Sequence, residues 1–458
     1  MKKFLSTISL ILTIVIVFSI CPSVIAYDDK DMIEDTITTP FAYPQGVDGF
    51  IARLYDLVMG RTYDNDGLNY WKNQLNSGSM TASNIARFFF SCDEYYDKGY
   101  SLDQYLAVLY RVFFDREGDS EGLNYWKGKV LNDGMTRRWV LEGFIYSQEW
   151  ANVCANYRVV CGTNVTPSVS VTRSAGVTNF VNSLYKDILG RTGDADGVTY
   201  WCDTLTYMRG SAKTCAQGFF YSPEFSSKFA SLSDEQKVDI FYQVFLGRQG
   251  EADGRNYWIS QLSGKSNSAK LDTLYNGFID SKEFSDNCQN NGILVNLPSF
   301  NAVYNDRQTV TVAVETTGGT IYLTGYYDRD LAECIMDLTN AYRAEKGRSV
   351  LPVVSALNKS CTVRASEIAY SFSHTRPNGG KFNTAVSGSG SRAENIAGGY
   401  GDCTAKLFMD QWKNSTKHND SILSTNRNGV GVAVFVLSDS DPYASKTNLR
   451  YFVVQQFK

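Results

Sequence analysis

Histidine is almost absent from this chain, so its two occurrences carry weight. His374 and His418 are the only histidines in 458 residues, and Glu394 lies between them in the sequence. Imidazole and carboxylate groups together can bind a divalent metal or move a proton near neutral pH. If the protein performs small-molecule chemistry, the sequence places that chemistry at these three residues.

Charge of one sign is not in excess either. The chain carries 44 lysines and arginines against 48 acidic residues, for a formal net charge of −4, and the two signs are intermingled. Because binding to a phosphate backbone needs a basic run or a basic surplus, no nucleic-acid partner is predicted.

Long apolar runs are missing beyond the first residues. Lys2 and Lys3 precede an apolar stretch from Phe4 to Ile20, and small residues lead to Ala26. This pattern predicts a secretory signal peptide over residues 1–26, with an uncleaved anchor as the alternative. No later segment is apolar enough to span a bilayer. We therefore predict a secreted protein, extracellular or associated with the cell surface, with no stable membrane span in its mature form.

A Cys-x-x-Cys motif is also absent, which argues against a structural zinc site of that type. Removal of Cys21 with the signal peptide leaves nine cysteines. Disulfides are expected in an exported protein, although an odd number leaves one thiol free or paired between molecules. The closest candidates in sequence are Cys154 with Cys161 and Cys202 with Cys215.

The middle of the chain contains four copies of one unit. Each copy has a tyrosine, an arginine six residues later, and a Tyr-Trp dipeptide whose tryptophan follows the arginine by ten residues. The four sets are Tyr55, Arg61 and Trp71; Tyr110, Arg116 and Trp126; Tyr185, Arg191 and Trp201; and Tyr242, Arg248 and Trp258. Repeats of this length are typical of stacked supersecondary units, and apolar residues three or four apart indicate helices. We predict two all-α repeat domains over residues 49–157 and 178–290. The units resemble a repeat domain of unknown function from exported bacterial proteins.

Two features of these copies have alternative interpretations. Acidic turns such as Asp64 to Gly67 suggest calcium, but the calcium-binding helix–loop–helix needs a closing glutamate at its twelfth position, where this chain has Leu75. We expect the acids to cap the following helix. The Tyr-Trp pairs could stack on sugars, but their fixed spacing favours a place in the core.

After the repeats, the pattern changes twice. Residues 297–327 include the alternating segment from Thr309 to Glu315, which predicts a β-rich connector or hairpin. Residues 330–458 begin with a predicted helix, in which Asp330 is the expected N-cap and Glu333 completes a capping box. Helices come first and alternating strands last, which indicates an α+β sandwich.

The C-terminal segment resembles the CAP superfamily, which includes the cysteine-rich secretory, antigen 5 and pathogenesis-related (SCP-like) proteins. The matching motifs are Asn340-x-x-Arg343-x-x-x-Gly347, Leu351-Pro352, Phe372-Ser373-His374-x-Arg376-Pro377-x-Gly379, Glu394-Asn395-Ile396, Trp412-x-x-Ser415-x-x-His418, Gly429-Val430-Gly431-Val432 and Gln455-x-Phe457. The expected protein is therefore multidomain, with all-α repeat domains followed by an α+β CAP-type α-β-α sandwich.

The resemblance also implies a cavity. In this superfamily the cavity is lined by two histidines and two glutamates, which in some members hold zinc or magnesium. His374, Glu394 and His418 match three of these positions, whereas Ser415 replaces a glutamate of the animal members. Glu367 is a further candidate for the cavity, but surface exposure is predicted for it. His374, Glu394 and His418 are expected either to bind zinc or another divalent metal or to hold the cavity loops by hydrogen bonds.

These observations favour a non-catalytic extracellular binding protein, with the repeats as spacer or docking arms. The superfamily implies a lipid, glycan or protein ligand. One alternative is a metal-dependent hydrolase or peptidase that uses His374, Glu394 and His418, and another is a structural or adhesive surface protein. A nucleophilic Ser415 activated by His418 has little support, because no Gly-x-Ser-x-Gly elbow surrounds it.

Overall fold

The computed structural model describes residues 43–297 and 308–458. The predicted signal peptide and residues 298–307 of the predicted connector lie outside these ranges. Within them, every helix is too short or too polar to cross a bilayer.

The first repeat pair, which contains the first two copies, is built from eight helices. They are α1 Val47–Met59, α2 Asn65–Asn76, α3 Ala82–Phe89, α4 Asp93–Lys98, α5 Leu102–Leu109, α6 Ser120–Leu131, α7 Arg137–Ile145 and α8 Gln148–Tyr157. Their apolar faces meet in one cluster, in which Phe50 and Trp150 are fully buried. The helical prediction is confirmed for this region.

The second repeat pair repeats this arrangement. Its helices are α9 Ala175–Ser183, α10 Ala195–Thr206, α11 Ala212–Phe220, α12 Pro223–Ser231, α13 Asp234–Phe241, α14 Ala252–Leu262, α15 Asn267–Ile279 and α16 Lys282–Asn290. In three copies the first helix continues as a π-helical turn, and these turns are Tyr110–Phe114, Leu184–Leu189 and Tyr242–Leu246. A separate apolar cluster holds this pair together.

The repeated tyrosine and glycine fit together in every copy. The Tyr55 ring lies under the guanidinium of Arg61 at 4.8 Å, and its hydroxyl would be 2.3 Å from a Cβ placed on Gly67. The equivalent distances at Gly122, Gly197 and Gly254 are 2.0, 2.2 and 2.3 Å. Only glycine lets the second helix of each unit approach the tyrosine this closely, so the sequence motif is a packing motif.

The acidic turns cap helices, as predicted. The Asp64 carboxylate accepts a hydrogen bond from the backbone N–H of Gly67 at 2.7 Å, and Asp119 and Asp194 do the same for Gly122 and Gly197. Each bond satisfies one of the free N–H groups at a helix start.

The prediction that the Tyr-Trp dipeptides are core residues is half right. Trp71 is buried, and the other three tryptophans pack against the two apolar clusters. The tyrosines are on the surface, with Tyr200 62% exposed. Neighbouring residues on a helix point about 100° apart, so only one residue of each dipeptide can face the core.

The C-terminal region contains a five-stranded antiparallel sheet. Its strands are β1 Val310–Thr316, β2 Gly319–Tyr327, β3 Ala393–Gly399, β4 Val430–Leu437 and β5 Tyr451–Phe457, in the order β1-β2-β4-β5-β3. The hairpin predicted as a connector thus forms one edge of this sheet, since β2 pairs with β4 from Gly325 to Tyr327. Val314 and Leu323, two of the alternating apolar residues of the hairpin, are buried in the domain core. This burial explains why the hairpin packs onto the domain.

Four helices flank the sheet. They are α17 Arg329–Glu345, α18 Ser355–Tyr370, α19 Ala405–Lys413 and α20 Thr416–Leu423, and short 3₁₀ turns occupy Phe382–Thr384 and Pro442–Lys446. The predicted helix start at Asp330 is wrong by two residues. Asp328 is the N-cap and accepts from the N–H of Leu331 at 3.1 Å, while Asp330 is buried.

The first repeat pair is docked on this C-terminal domain. Arg137, at the start of α7, donates to both carboxylate oxygens of Asp337 at 2.9 and 2.7 Å and to Glu333 at 3.0 Å. Its side chain is only 2% exposed and lies over the ring of Tyr105 at 5.0 Å. The backbone N–H of Arg138 donates to Asp330 at 3.0 Å, which is why that carboxylate is unavailable for helix capping.

Further contacts extend the docking surface. The Ser355 hydroxyl donates to Asp97 at 2.9 Å, and Arg329 lies over the ring of Tyr96 at 4.7 Å. A Cβ on Gly99 would lie 2.7 Å from Val353. The interface thus combines buried ion pairs with close backbone packing.

Candidate functional site

The three predicted site residues come from three different elements. His374 lies in the loop after α18, Glu394 is the second residue of β3, and His418 lies in the first turn of α20. The structure brings His374 and Glu394 into contact, with 3.0 Å between Nδ1 and Oε1. His418 is close enough to His374 for the charge of one ring to act on the other.

Glu394 is buried and fully engaged by hydrogen-bond donors. Its oxygens accept from Arg364 Nε at 3.0 Å, Arg364 Nη2 at 3.2 Å, Gln456 Nε2 at 3.0 Å and His374 Nδ1 at 3.0 Å. Burial alone would raise the pKa of this carboxyl, but the bonds from His374 and Arg364 hold the pKa below its ordinary value. Glu394 is therefore an ionised structural anion near neutral pH.

Glu367 contradicts the prediction of surface exposure, because it is buried beside this cluster. Arg364 Nη1 donates to one of its oxygens at 2.7 Å, and Arg376 Nη2 donates to the other at 2.6 Å. A glutamate can be buried when cations and hydrogen bonds compensate its charge. The two arginines and two glutamates form an alternating network beside His374.

The two histidines are in different environments. The His374 side chain is 51% exposed. Because its Nδ1 donates to Glu394, its Nε2 remains available to a ligand. His418 is partly buried, and burial together with the nearby His374 lowers the pKa of its imidazole. His418 is therefore neutral at pH 7, as a metal ligand or a hydrogen-bond acceptor must be.

Ser415 does not form a nucleophile–base pair with His418. It is the N-cap residue of α20, three residues before His418, and its hydroxyl makes no capping bond. Among residues 43–297 and 308–458, no hydrogen bond links Ser415 to His418.

A site with three direct metal ligands is not assembled in the described part of the chain, where no group of three histidine, cysteine, aspartate or glutamate residues has suitable geometry. Glu394 is directed to Arg364 and Gln456, so the donor set of His374, Glu394 and His418 does not fit a metal as three direct ligands. The two imidazoles remain as candidate ligands. Glu394 orients the His374 ring through the hydrogen bond with Nδ1.

Sequence reasoning missed Arg364, Arg376 and Gln456. Arg364 lies three residues before Glu367 on one helix, a spacing typical of an ion pair, but this pattern is common on exposed helices. Gln456 is the unspecified middle residue of the Gln455-x-Phe457 motif, and its side chain faces the opposite side of β5 from that of Gln455. Nothing in the sequence pattern indicates that Arg364 and Gln456 contact Glu394 or that Arg376 contacts Glu367.

Cysteine pairing stays a prediction. All nine described cysteines are free thiols. Cys154 and Cys161 interact directly: burial raises the pKa of Cys154, and the hydrogen bond to Cys154 lowers the pKa of Cys161.

Comparisons with known families agree with this architecture. The model of a domain of unknown function, DUF4214, matches residues 43–98, 91–154, 171–210 and 216–288. The model of the cysteine-rich secretory protein family, CAP, matches residues 336–457. The chain is four DUF4214 units followed by a CAP domain. Both resemblances proposed from the sequence are confirmed.

Two solved structures are similar to part of the chain. One is an outer surface protein from Borrelia burgdorferi, at 17% identity and a TM-score of 0.24, covering 29% of this chain and 98% of that one. The other is an extracellular protein containing an SCP domain from Bacillus anthracis str. Ames, at 20% identity and a TM-score of 0.23, covering 30% of this chain and 46% of that one. No curated protein matches this chain in sequence.

Proposed function

We propose that this chain is an exported, non-catalytic binding protein whose CAP domain recognises a lipid, glycan or protein ligand. The observation that carries the proposal is the saturation of Glu394 by Arg364, Gln456 and His374. A general base needs a free lone pair near its substrate. A carboxylate held by an arginine in a buried network is instead suited to fixing the loop that presents His374 to a ligand.

Export is supported by the signal-peptide pattern of residues 1–26. The docking of the first repeat pair indicates that the two repeat pairs have different roles. Because this pair is fixed to the CAP domain through Arg137 and Asp337, it forms one body with the ligand-binding domain. The second repeat pair then serves as the spacer or the attachment module.

The binding test uses the mature chain from residue 27. We expect it to sediment with one of two supports, anionic and sterol-containing lipid vesicles or purified bacterial cell walls. Arg364→Leu should weaken this binding because it removes the cation that holds Glu394 and Glu367 beside His374. Lys417→Ala, an exposed change beside His418, is the matched control. Equal sedimentation of Arg364→Leu and the parent with the bound support would contradict a role for the His374–Glu394 site in ligand binding.

One observation favours metal binding as a second property. The bond from His374 Nδ1 to Glu394 fixes the ring and directs Nε2 outward, as in carboxylate–histidine–metal arrangements. A bound divalent cation would supply Lewis-acid chemistry. His374 and His418 would hold the cation through their imidazoles, and Glu394 would orient the His374 ring.

We predict weak to moderate zinc binding through His374 and His418. Calorimetric titration of the mature chain should show one binding event that is lost in His374→Ala and kept in Lys417→Ala. Identical heats for the parent and His374→Ala would reject the site. Circular dichroism of each variant separates loss of the site from loss of the fold.

A further inference from the structure

A buried arginine lies inside the first repeat pair. The side chain of Arg53 is fully buried. Its guanidinium donates to Asp115 at 2.6 Å, to the carbonyl of Val112 at 3.1 Å, and to the carbonyl of Arg111. It also lies near the ring of Tyr157, at 6.0 Å. The π-helical turn Tyr110–Phe114 thus presents its carbonyls to a cation.

The second repeat pair lacks this arginine. Arg53 lies two residues before Tyr55, and the residue two before Tyr185 is Ser183. The Ser183 hydroxyl donates to the carbonyl of Phe180 in its own helix, at 2.7 Å. The side chain therefore turns back and does not occupy the place of an arginine.

A cavity of about 200 Å³ remains at this position. Its lining includes Ser183, Asp187, Gln243, Val244 and Asn291. Counted from the repeated tyrosine, Gln243 and Val244 correspond to Arg111 and Val112, whose carbonyls bind the Arg53 guanidinium. The Gln243 carbonyl accepts from the N–H of Gly247 at 3.0 Å, and its second lone pair can accept another bond. A water molecule takes up about 30 Å³ in the liquid, so the cavity has room for a side chain.

The cavity also contains a carboxylate that the other copies lack. Asp187 follows its repeat tyrosine by two residues, where the other three copies have Leu57, Val112 and Val244. Within the described residues, Asp187 has no hydrogen bond or ion pair. Partial burial raises the pKa of this carboxyl, and the nearby Lys186 and Lys228 oppose the shift. Lys228 donates instead to the carbonyl of Ile188 at 2.7 Å.

Amides replace apolar and aromatic groups elsewhere in the cavity lining. Asn287 and Asn291 follow Glu283 by four and eight residues, and the equivalent positions after Glu149 are Val153 and Tyr157. The carbonyl of Asn287 accepts from the Asn291 side chain at 2.8 Å. In the first pair this position is filled by Arg53, whose charge is balanced by Asp115. In the second pair it is an open polar cavity that contains the unpaired carboxylate of Asp187.

We propose that the second repeat pair binds a guanidinium group in this cavity, with Asp187 as the counter-ion and the carbonyls of Gln243 and Val244 as acceptors. The same fold binds the guanidinium of its own Arg53 in the first pair. Planar guanidinium donors suit a carboxylate combined with fixed carbonyls better than an ammonium does.

The surroundings favour a guanidinium carried by a polypeptide. A second groove of about 340 Å³ shares Asp187 and Gln243 with the cavity and continues past Asp239 and Arg255. These two residues form a bidentate ion pair at 2.6 and 2.9 Å, so their charges are already balanced. The groove can accommodate residues on either side of a bound arginine side chain. This site is separate from the His374–Glu394 site of the CAP domain and does not depend on the function proposed for that domain.

The test is calorimetric titration of the mature chain with three capped tripeptides, Ala-Arg-Ala, Ala-Lys-Ala and Ala-citrulline-Ala, and with argininamide. Citrulline keeps the shape of arginine without its charge. We expect Ala-Arg-Ala to bind, Ala-Lys-Ala to bind more weakly, and the citrulline peptide to bind at least about tenfold more weakly, because charge-assisted bonds are lost. Tighter binding of the tripeptide than of argininamide identifies a polypeptide source, and equal binding identifies a small guanidinium compound.

Variants connect the binding to this cavity. Asp187→Leu, which restores the residue of the first copy, should weaken Ala-Arg-Ala by at least about tenfold. Ser183→Arg should abolish binding by filling the cavity from within. Asn182→Ala, an exposed change on the same helix, is the control. The proposal is overturned if the arginine and citrulline peptides bind equally, if neither binds, or if folded Asp187→Leu binds as the parent does.

Discussion

The two repeat pairs share one scaffold and differ at the surface that meets the CAP domain. Arg137 lies six residues before Gly143 and binds Asp337, whereas the residue six before Gly277 is Leu271. Likewise Tyr105, five before its repeat tyrosine, corresponds to Lys237, whose amine lies over the ring of Phe229 at 5.0 Å. In the second pair, Lys237 and Phe229 therefore pack on each other at the face that corresponds to the docking surface of the first pair. Docking is thus a property of a few exchanged side chains and not of the repeat fold.

The largest expected effect comes from breaking the docking contact. Arg137→Ala leaves Asp337 buried without the cation that pairs with it, which should cost about 3–5 kcal/mol of unfolding free energy. Urea denaturation followed by tryptophan fluorescence measures this loss.

Arg111→Ala is the control for that change, because the Arg111–Glu117 ion pair is exposed and should contribute less than about 1 kcal/mol. If both variants lose the same small amount of unfolding free energy, Arg137 does not hold the first repeat pair on the CAP domain.

A smaller effect should be shared by both pairs. A Cβ on Gly143 would lie 2.5 Å from Trp126 Cη2, and a Cβ on Gly277 would lie 2.0 Å from Trp258 Cη2. Overpacking of this kind costs about 1–3 kcal/mol, so Gly143→Ala and Gly277→Ala should both lower the unfolding free energy.

Gly128→Ala is the matched change in the same helical fold, since the nearest atom would be 3.7 Å away. It should stabilise the protein by about 0.5–1 kcal/mol. Stabilisation by Gly277→Ala as well would show that the tryptophan does not require glycine.

The buried ion pair of Glu394 with Arg364 in the CAP domain should make stability depend on pH. The pKa of Glu394 is depressed in the folded state, so its ion pair stabilises the protein fully above the ordinary glutamate pKa of about 4.3. This contribution is lost as the pH falls through the lower folded-state pKa. Thermal melting between pH 6 and pH 3 should therefore show a steeper loss for the parent than for Glu394→Gln. Parallel curves would mean that Glu394 does not carry the predicted charge.

The sequence predicts the repeats, the CAP resemblance and the contact of His374 with Glu394 because each depends on local spacing or on a family motif. It does not predict the docking surface, since Arg137 and Asp337 are 200 residues apart and no periodic pattern links them. The sequence predicts exposure for Glu367 because an isolated acid is rarely buried. Its burial depends on Arg364 and Arg376, which only the three-dimensional structure brings together.

Asp330 illustrates a different limit. Its position three residues before Glu333 satisfies the capping-box pattern, but the structure uses Asp328 as the cap. The carboxylate of Asp330 binds the backbone N–H of Arg138 in the docked repeat pair. A local rule fails here because a contact with another domain takes the same side chain.

The most direct test of the account is a turnover assay on the mature chain with zinc, using a panel of ester, peptide and glycan substrates. Because Glu394 is committed to Arg364 and Ser415 is not paired with His418, we expect no cleavage above the buffer rate, for the parent and His418→Ala alike. Cleavage by the parent that disappears in folded His418→Ala and persists in Lys417→Ala would contradict it.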